Sequence, residues 1–135
     1  MAERTELSGI LYDIQSFSVQ DGPGIRTTAF FKGCPLRCPW CHSPESQSFA
    51  PQLSWISMRC QGVDACDSRC MAACPQKAIE LGERITDSGG KEIQLIHVDR
   101  SRCSDCGECC ERCYPGALSM CGKSYTVDEL VKRLV

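Results

Sequence analysis

The chain has 135 residues, with 17 acidic and 15 basic side chains and 13 cysteines. That length suits one ordinary domain or a piece of a larger protein, and the near balance of charge argues against a nucleic-acid or membrane surface as partner. The opening MAERTELSGILYDI lacks the apolar core of a signal peptide, and no stretch approaches the ~20 apolar residues of a membrane span, so the cytoplasm is the expected compartment.

Thirteen cysteines could be a secreted disulfide framework or an intracellular metal protein. The count is odd, no export signal is visible, and most spacings are two or three residues, which favours metal. Structural zinc sites favour paired CxxC halves. Here the cysteines come in threes and fours.

In chain order, residues 9–19 and 26–31 are β-branched and aromatic and predict strands. Between them Asp21-Gly-Pro-Gly24 predicts a turn. The second strand runs into Gly33-Cys-Pro-Leu-Arg-Cys-Pro-Trp-Cys41, at the strand end where α/β sheets gather their sites. Cys34, Cys38 and Cys41 can hold three corners of a [4Fe–4S] cluster. An electron-carrying cluster needs a fourth cysteine, and the run lacks one. One iron is then left open for a different ligand.

From about Leu53 to Gly122 a weak repeat appears. One half holds Cys60, Cys66, Cys70 and Cys74-Pro75; the other holds Cys103, Cys106, Cys109 and Cys113. Each goes from a short extended stretch into a cysteine loop, then into a turn and an aliphatic, with Asp87-Ser-Gly-Gly90 as a polar hairpin or linker between. The second half has the spacing of a two-cluster ferredoxin, in which the fourth cysteine ligates the other cluster. That crossed pattern groups Cys60, Cys66, Cys70 and Cys113, and separately Cys103, Cys106, Cys109 and Cys74. The wider gaps after Cys60 and Cys66 depart from the usual spacing. Cys110 could exchange with Cys109 and Cys121 could stand in for Cys113, while His42 and His97 read as ordinary loop or strand residues. At the end, Thr126-Val-Asp-Glu129 fits a capping box. Val127, Leu130, Val131, Leu134 and Val135 then form an apolar stripe at helical spacing. The stripe is still running at Val135, as expected of a truncated sequence.

The CxxxCxxC run with Trp40 resembles the signature of radical S-adenosylmethionine enzymes. The resemblance implies that the amino and carboxylate groups of S-adenosylmethionine chelate the open iron. An electron from the cluster then cleaves the sulfonium to methionine and a 5′-deoxyadenosyl radical. The longer run Asp21-Gly-Pro-Gly-Ile-Arg-Thr-Thr-Ala-Phe30, continuing to Gly33 and Cys41, resembles glycyl radical enzyme activating enzymes, the pyruvate formate-lyase activase group. Ser43 departs from that group's usual Asn. Within the group the larger activases carry a two-cluster insert, and those serving 4-hydroxyphenylacetate decarboxylase look closest.

What this resemblance implies is an α/β fold: the start of a partial (β/α)6, TIM-like barrel carrying a two-cluster ferredoxin-like α+β insert. Residues 1–52 would be the radical segment, 53–122 the insert and 123–135 the first barrel helix, with Ile25–Phe31 as the first barrel strand. Cys34, Cys38 and Cys41 would be catalytic, with Gly33 and Trp40 at the cofactor. Three [4Fe–4S] clusters and S-adenosylmethionine are the implied cofactors. A flavodoxin or ferredoxin would be the reductant, and a glycyl radical enzyme, such as an arylacetate decarboxylase, the partner. The Gly-Gly-Glu type segment that receives the amino group of S-adenosylmethionine in such enzymes is absent from these residues. The chain by itself is therefore expected not to be a competent activase, because one strand and one helix cannot close a barrel. The alternative is a ferredoxin-like electron carrier with a vestigial radical loop, whose cluster spectrum S-adenosylmethionine would leave unchanged.

Overall fold

A computed structural model describes residues 7–134. The chain divides into two compact units, one formed by residues 1–52 and 121–135, the other by Leu53–Met120. Val135, the last residue of the expected stripe, lies outside the described residues.

In the first unit, Ser8–Ser18 (β1) and Arg26–Phe31 (β2) are the two expected strands. They pair antiparallel, from Leu11 opposite Phe31 to Ser18 opposite Arg26. The short connection dictates this, since a parallel pair needs a crossover of a dozen residues or more. The turn is fastened by Asp21, whose carboxylate accepts hydrogen bonds from the hydroxyls of Ser18 and Thr28 (2.8 Å for Thr28). Those two bonds, Ser18 first, hold its carboxyl below the usual range. Tyr12 and Phe30 pack ring against ring across the pair, with centroids 5.7 Å apart.

Lys123–Thr126 (β7) adds to the other edge of β1, again antiparallel, so the order is β2-β1-β7. This strand was not legible in the sequence: Lys-Ser-Tyr-Thr is too short and polar to announce itself. Both pairings are antiparallel, so β2 meets no parallel neighbour within these residues.

Val127–Leu134 (α3) follows at once. Its capping box is made as expected: the Thr126 N–H donates to the Glu129 carboxylate at 2.9 Å, and the Glu129 N–H donates to the Thr126 hydroxyl at 3.2 Å. None of its described residues is buried, and Val127 and Val131 are each about half exposed.

The second unit has two strand pairs and two short helices. Gln52–Trp55 (β3) pairs with Leu118–Cys121 (β6), and Ile79–Thr86 (β4) pairs antiparallel with Glu92–Val98 (β5). Asp87–Gly90 is a hairpin turn: the Asp87 carboxylate accepts the N–H groups of Gly89 and Lys91 at 2.8 and 2.9 Å. The helices are Arg69–Ala73 (α1) and Glu108–Glu111 (α2), entered through left-handed residues, Ser68 and Gly107. Leu53, Val63, Ile79, Ile96, Val98 and Leu118 make the core with Cys70 and Cys109, while Trp55, Cys74, Cys103, Cys110 and Cys113 pack against it. No described helix is long and apolar enough to cross a membrane.

Candidate metal centres

The first candidate is the loop after β2. Two neighbouring backbone N–H groups, of Gly33 and Cys34, donate to the Ser46 carbonyl at 2.6 and 3.0 Å, which turns the chain sharply as it leaves the strand. Gly33 sits at φ +98°, where an L side chain is strained, and a Cβ there would lie 2.2 Å from the Phe49 ring. Lys32, buried beneath, donates its ammonium to the Glu45 carbonyl. Arg37 folds back onto the Cys34 carbonyl at 3.1 Å, and the Cys41 N–H donates to the Cys38 carbonyl at 3.1 Å. The loop therefore presents Cys34, Cys38 and Cys41 half-buried, with Trp40 82 % exposed at its tip.

The second unit contains two cysteine-lined cavities. One, of about 310 Å³ including its open mouth, is lined by Cys74, Cys103, Cys106 and Cys109 together with Leu53, Ile79 and Asp105. The other, of about 370 Å³, is lined by Cys60, Cys66, Cys70 and Cys113 together with Trp55 and Arg112. Each cavity thus takes three cysteines from one half of the repeat and one from the other. Cys110 and Cys121 line neither.

The two crossing cysteines are held alike: the Ala78 N–H donates to Cys74 Sγ and the Leu118 N–H to Cys113 Sγ, both at 3.3 Å. Burial and crowding with like groups disfavour the thiolate form of the cysteines in these cavities, a cost that a bound cation would offset. Burial pushes Cys70 up to about 11, with Cys66, Cys113 and Cys60 adding to it. Burial likewise pushes Cys109 up to about 12, followed by Cys110, Cys74 and Cys106. Burial also raises Cys110. It raises Cys121 too, which stands by Lys32 and Glu45, with Lys32 opposing the rise.

Among the described residues no three Cys, His, Asp or Glu side chains converge on a point, as a mononuclear zinc ion with ligands at ~2.3 Å requires. A cubane instead fills the space between its thiolates, so four cysteines around one cavity is the donor set that suits it. His42 is exposed in the loop and His97 is exposed on β5. Sequence reasoning did not single out Trp55, Arg112 and Asp105, because nothing local tells an aromatic or charged residue that it borders a cavity.

Comparison with known proteins bears on these centres. An indoleacetate decarboxylase activating enzyme of Tractidigestivibacter scatoligenes is 46 % identical over 98 % of this chain and 41 % of its own length. A 4-hydroxyphenylacetate decarboxylase activating enzyme of Clostridioides difficile (strain 630) is 40 % identical over 98 % of this chain and 39 % of its own. A benzylsuccinate synthase activating enzyme of Thauera aromatica is 42 % identical over 91 % of this chain and 34 % of its own. The chain thus spans about two fifths of the length of the first of these relatives. No solved structure matches it. The family model described as "4Fe-4S single cluster domain" matches residues 20–98, more than half of the sequence, and the chain belongs to that family.

Proposed function

We propose that this chain is the cluster-bearing part of a glycyl radical enzyme activating enzyme. The observation that carries the reading is the Cys34, Cys38 and Cys41 loop: three half-buried thiols, fastened by paired N–H bonds to Ser46, with no fourth cysteine in the run. The similarity of almost the whole chain to activating enzymes supports it. A cluster on those thiols supplies one-electron reductive cleavage of S-adenosylmethionine, the source of the radical that takes hydrogen from a partner's glycine. Gly33 and the Lys32 tether hold the loop against its strand, and Trp40, exposed at the loop's tip, is free to meet the cofactor. The partner would be a glycyl radical enzyme of the arylacetate decarboxylase type, and the reductant a flavodoxin or ferredoxin.

Within this reading the second unit is a ferredoxin-like insert, with clusters on Cys60, Cys66, Cys70 and Cys113 and on Cys74, Cys103, Cys106 and Cys109. Strand β2 and helix α3 are the first strand and first helix of a (β/α)6 barrel. The test is spectroscopic. S-adenosylmethionine added to the reduced, iron-reconstituted chain should change its electron paramagnetic resonance (EPR) spectrum, and Cys38→Ala should abolish that change. A spectrum indifferent to S-adenosylmethionine would overturn the reading in favour of a ferredoxin-like carrier.

A further inference from the structure

The Trp55 indole N–H is buried and finds no hydrogen-bond partner among the described residues. Buried indole N–H groups almost always have one, because leaving such a donor unpaired is costly. Trp55 lines the cavity of Cys60, Cys66, Cys70 and Cys113, where a cluster would offer thiolate or sulfide acceptors.

We propose that the Trp55 indole donates a hydrogen bond to a sulfur of the cluster in that cavity, making it the more easily reduced of the two in the second unit. This rests on the reading that both cavities hold [4Fe–4S] clusters. Hydrogen bonds to sulfur and nearby charge are the protein's main levers on cluster potential. The crossing cysteines do not distinguish the cavities, since each accepts one backbone N–H at 3.3 Å. Side chains differ. Five residues before Cys60 stands Trp55; five before Cys103 stands Val98, an apolar core residue that donates nothing. The Trp55 cavity is also lined by Arg112, a permanent cation. The opposite cavity is lined by Asp105, whose side chain accepts the Leu53 N–H at 2.7 Å, and the remaining polar neighbours, Gln61 in the first cavity and Gln76 and Ser104 in the second, are uncharged. Donor and cation on one side and carboxylate on the other pull the two potentials apart in the same sense, so an incoming electron settles beside Trp55.

The test uses the whole chain carrying Cys38→Ala, so that the loop contributes no cluster, reconstituted anaerobically and titrated with dithionite under EPR. About eight irons per chain and two one-electron waves are expected, four irons belonging to each cluster. Trp55→Phe should lower the reduction constant of the more positive wave about tenfold, ~59 mV for one electron, and leave the other wave in place. The chain with Trp55 retained and its tryptophans labelled with ¹⁵N should show nitrogen coupling to the first-reduced cluster. That measurement decides if Trp55→Phe fails to load. Markedly fewer irons overturn the cluster reading and this inference with it. Full iron with an unmoved upper wave, or with no nitrogen coupling, overturns this inference alone.

Discussion

Removing Cys60 together with either Cys74 or Cys113 separates crossed from local ligation. Cys113 lines the cavity of Cys60, Cys66 and Cys70, and Cys74 lines the cavity of Cys103, Cys106 and Cys109. In a Cys38→Ala background, Cys60→Ala with Cys113→Ala strikes one cavity twice, so about four of about eight irons should remain. Cys60→Ala with Cys74→Ala leaves each cavity three thiolates, so neither keeps a fully ligated cluster and the EPR signals of both should change. Secondary damage is small by comparison. Losing Cys113 Sγ removes one hydrogen bond, worth about 1 kcal/mol net, and leaves the Leu118 N–H unpaired at about 1–3 kcal/mol. Iron and acid-labile sulfide assays with EPR spin counting read the outcome. The reverse pattern, with one cluster's signal intact in the Cys60 and Cys74 pair and neither intact in the Cys60 and Cys113 pair, would refute the crossed arrangement.

Gly33→Ala should cost the loop about 1–2 kcal/mol, because φ +98° strains an L residue. The exposed Phe49 ring can swing clear, so the backbone term dominates; the S-adenosylmethionine-sensitive signal should weaken while the other two clusters stay, and an unchanged signal would refute the strain argument. Leu118→Ala, at a side chain 2 % exposed in the second unit's core, should lower stability by about 3 kcal/mol in denaturant unfolding of the cluster-loaded chain. Val131→Lys, on the half-exposed face of α3, should change it by less than about 0.5 kcal/mol. Equal losses for the two would contradict this division between core and surface.

Strong local signals were legible from sequence: the β-branched runs that became β1 and β2, the Asp87–Gly90 turn and the Thr126–Glu129 capping box each depend on neighbours within a few residues. What escaped depends on distant partners. β7 exists because β1 offers it an edge. The helices α1 and α2 are too short for a periodic pattern to reveal. The thiols of Cys34, Cys38 and Cys41 could be picked out by spacing alone, whereas Trp55 and Arg112 carry no motif and matter only through the cavity they border.

The crossed grouping of cysteines has a topological cause. In each half a crossing cysteine precedes a strand by five residues: Cys74 before Ile79 and Cys113 before Leu118. In each half the loop cysteines begin five residues after a strand ends: Cys60 after Trp55 and Cys103 after Val98. If each strand paired within its own half, each crossing cysteine would return to its own loop. Instead β4 pairs with β5, with Ile79 opposite Val98, and that brings Cys74 and Cys103 to the same end of one ladder. The β3–β6 pair does the same for Cys60 and Cys113, the Ile56 N–H beyond β3 donating to the Ala117 carbonyl before β6 at 2.8 Å. Strand exchange between the halves therefore compels the exchange of cavity-lining cysteines. It also makes the two cavities mutually dependent, because a slip in either ladder withdraws a thiol from the other half's site.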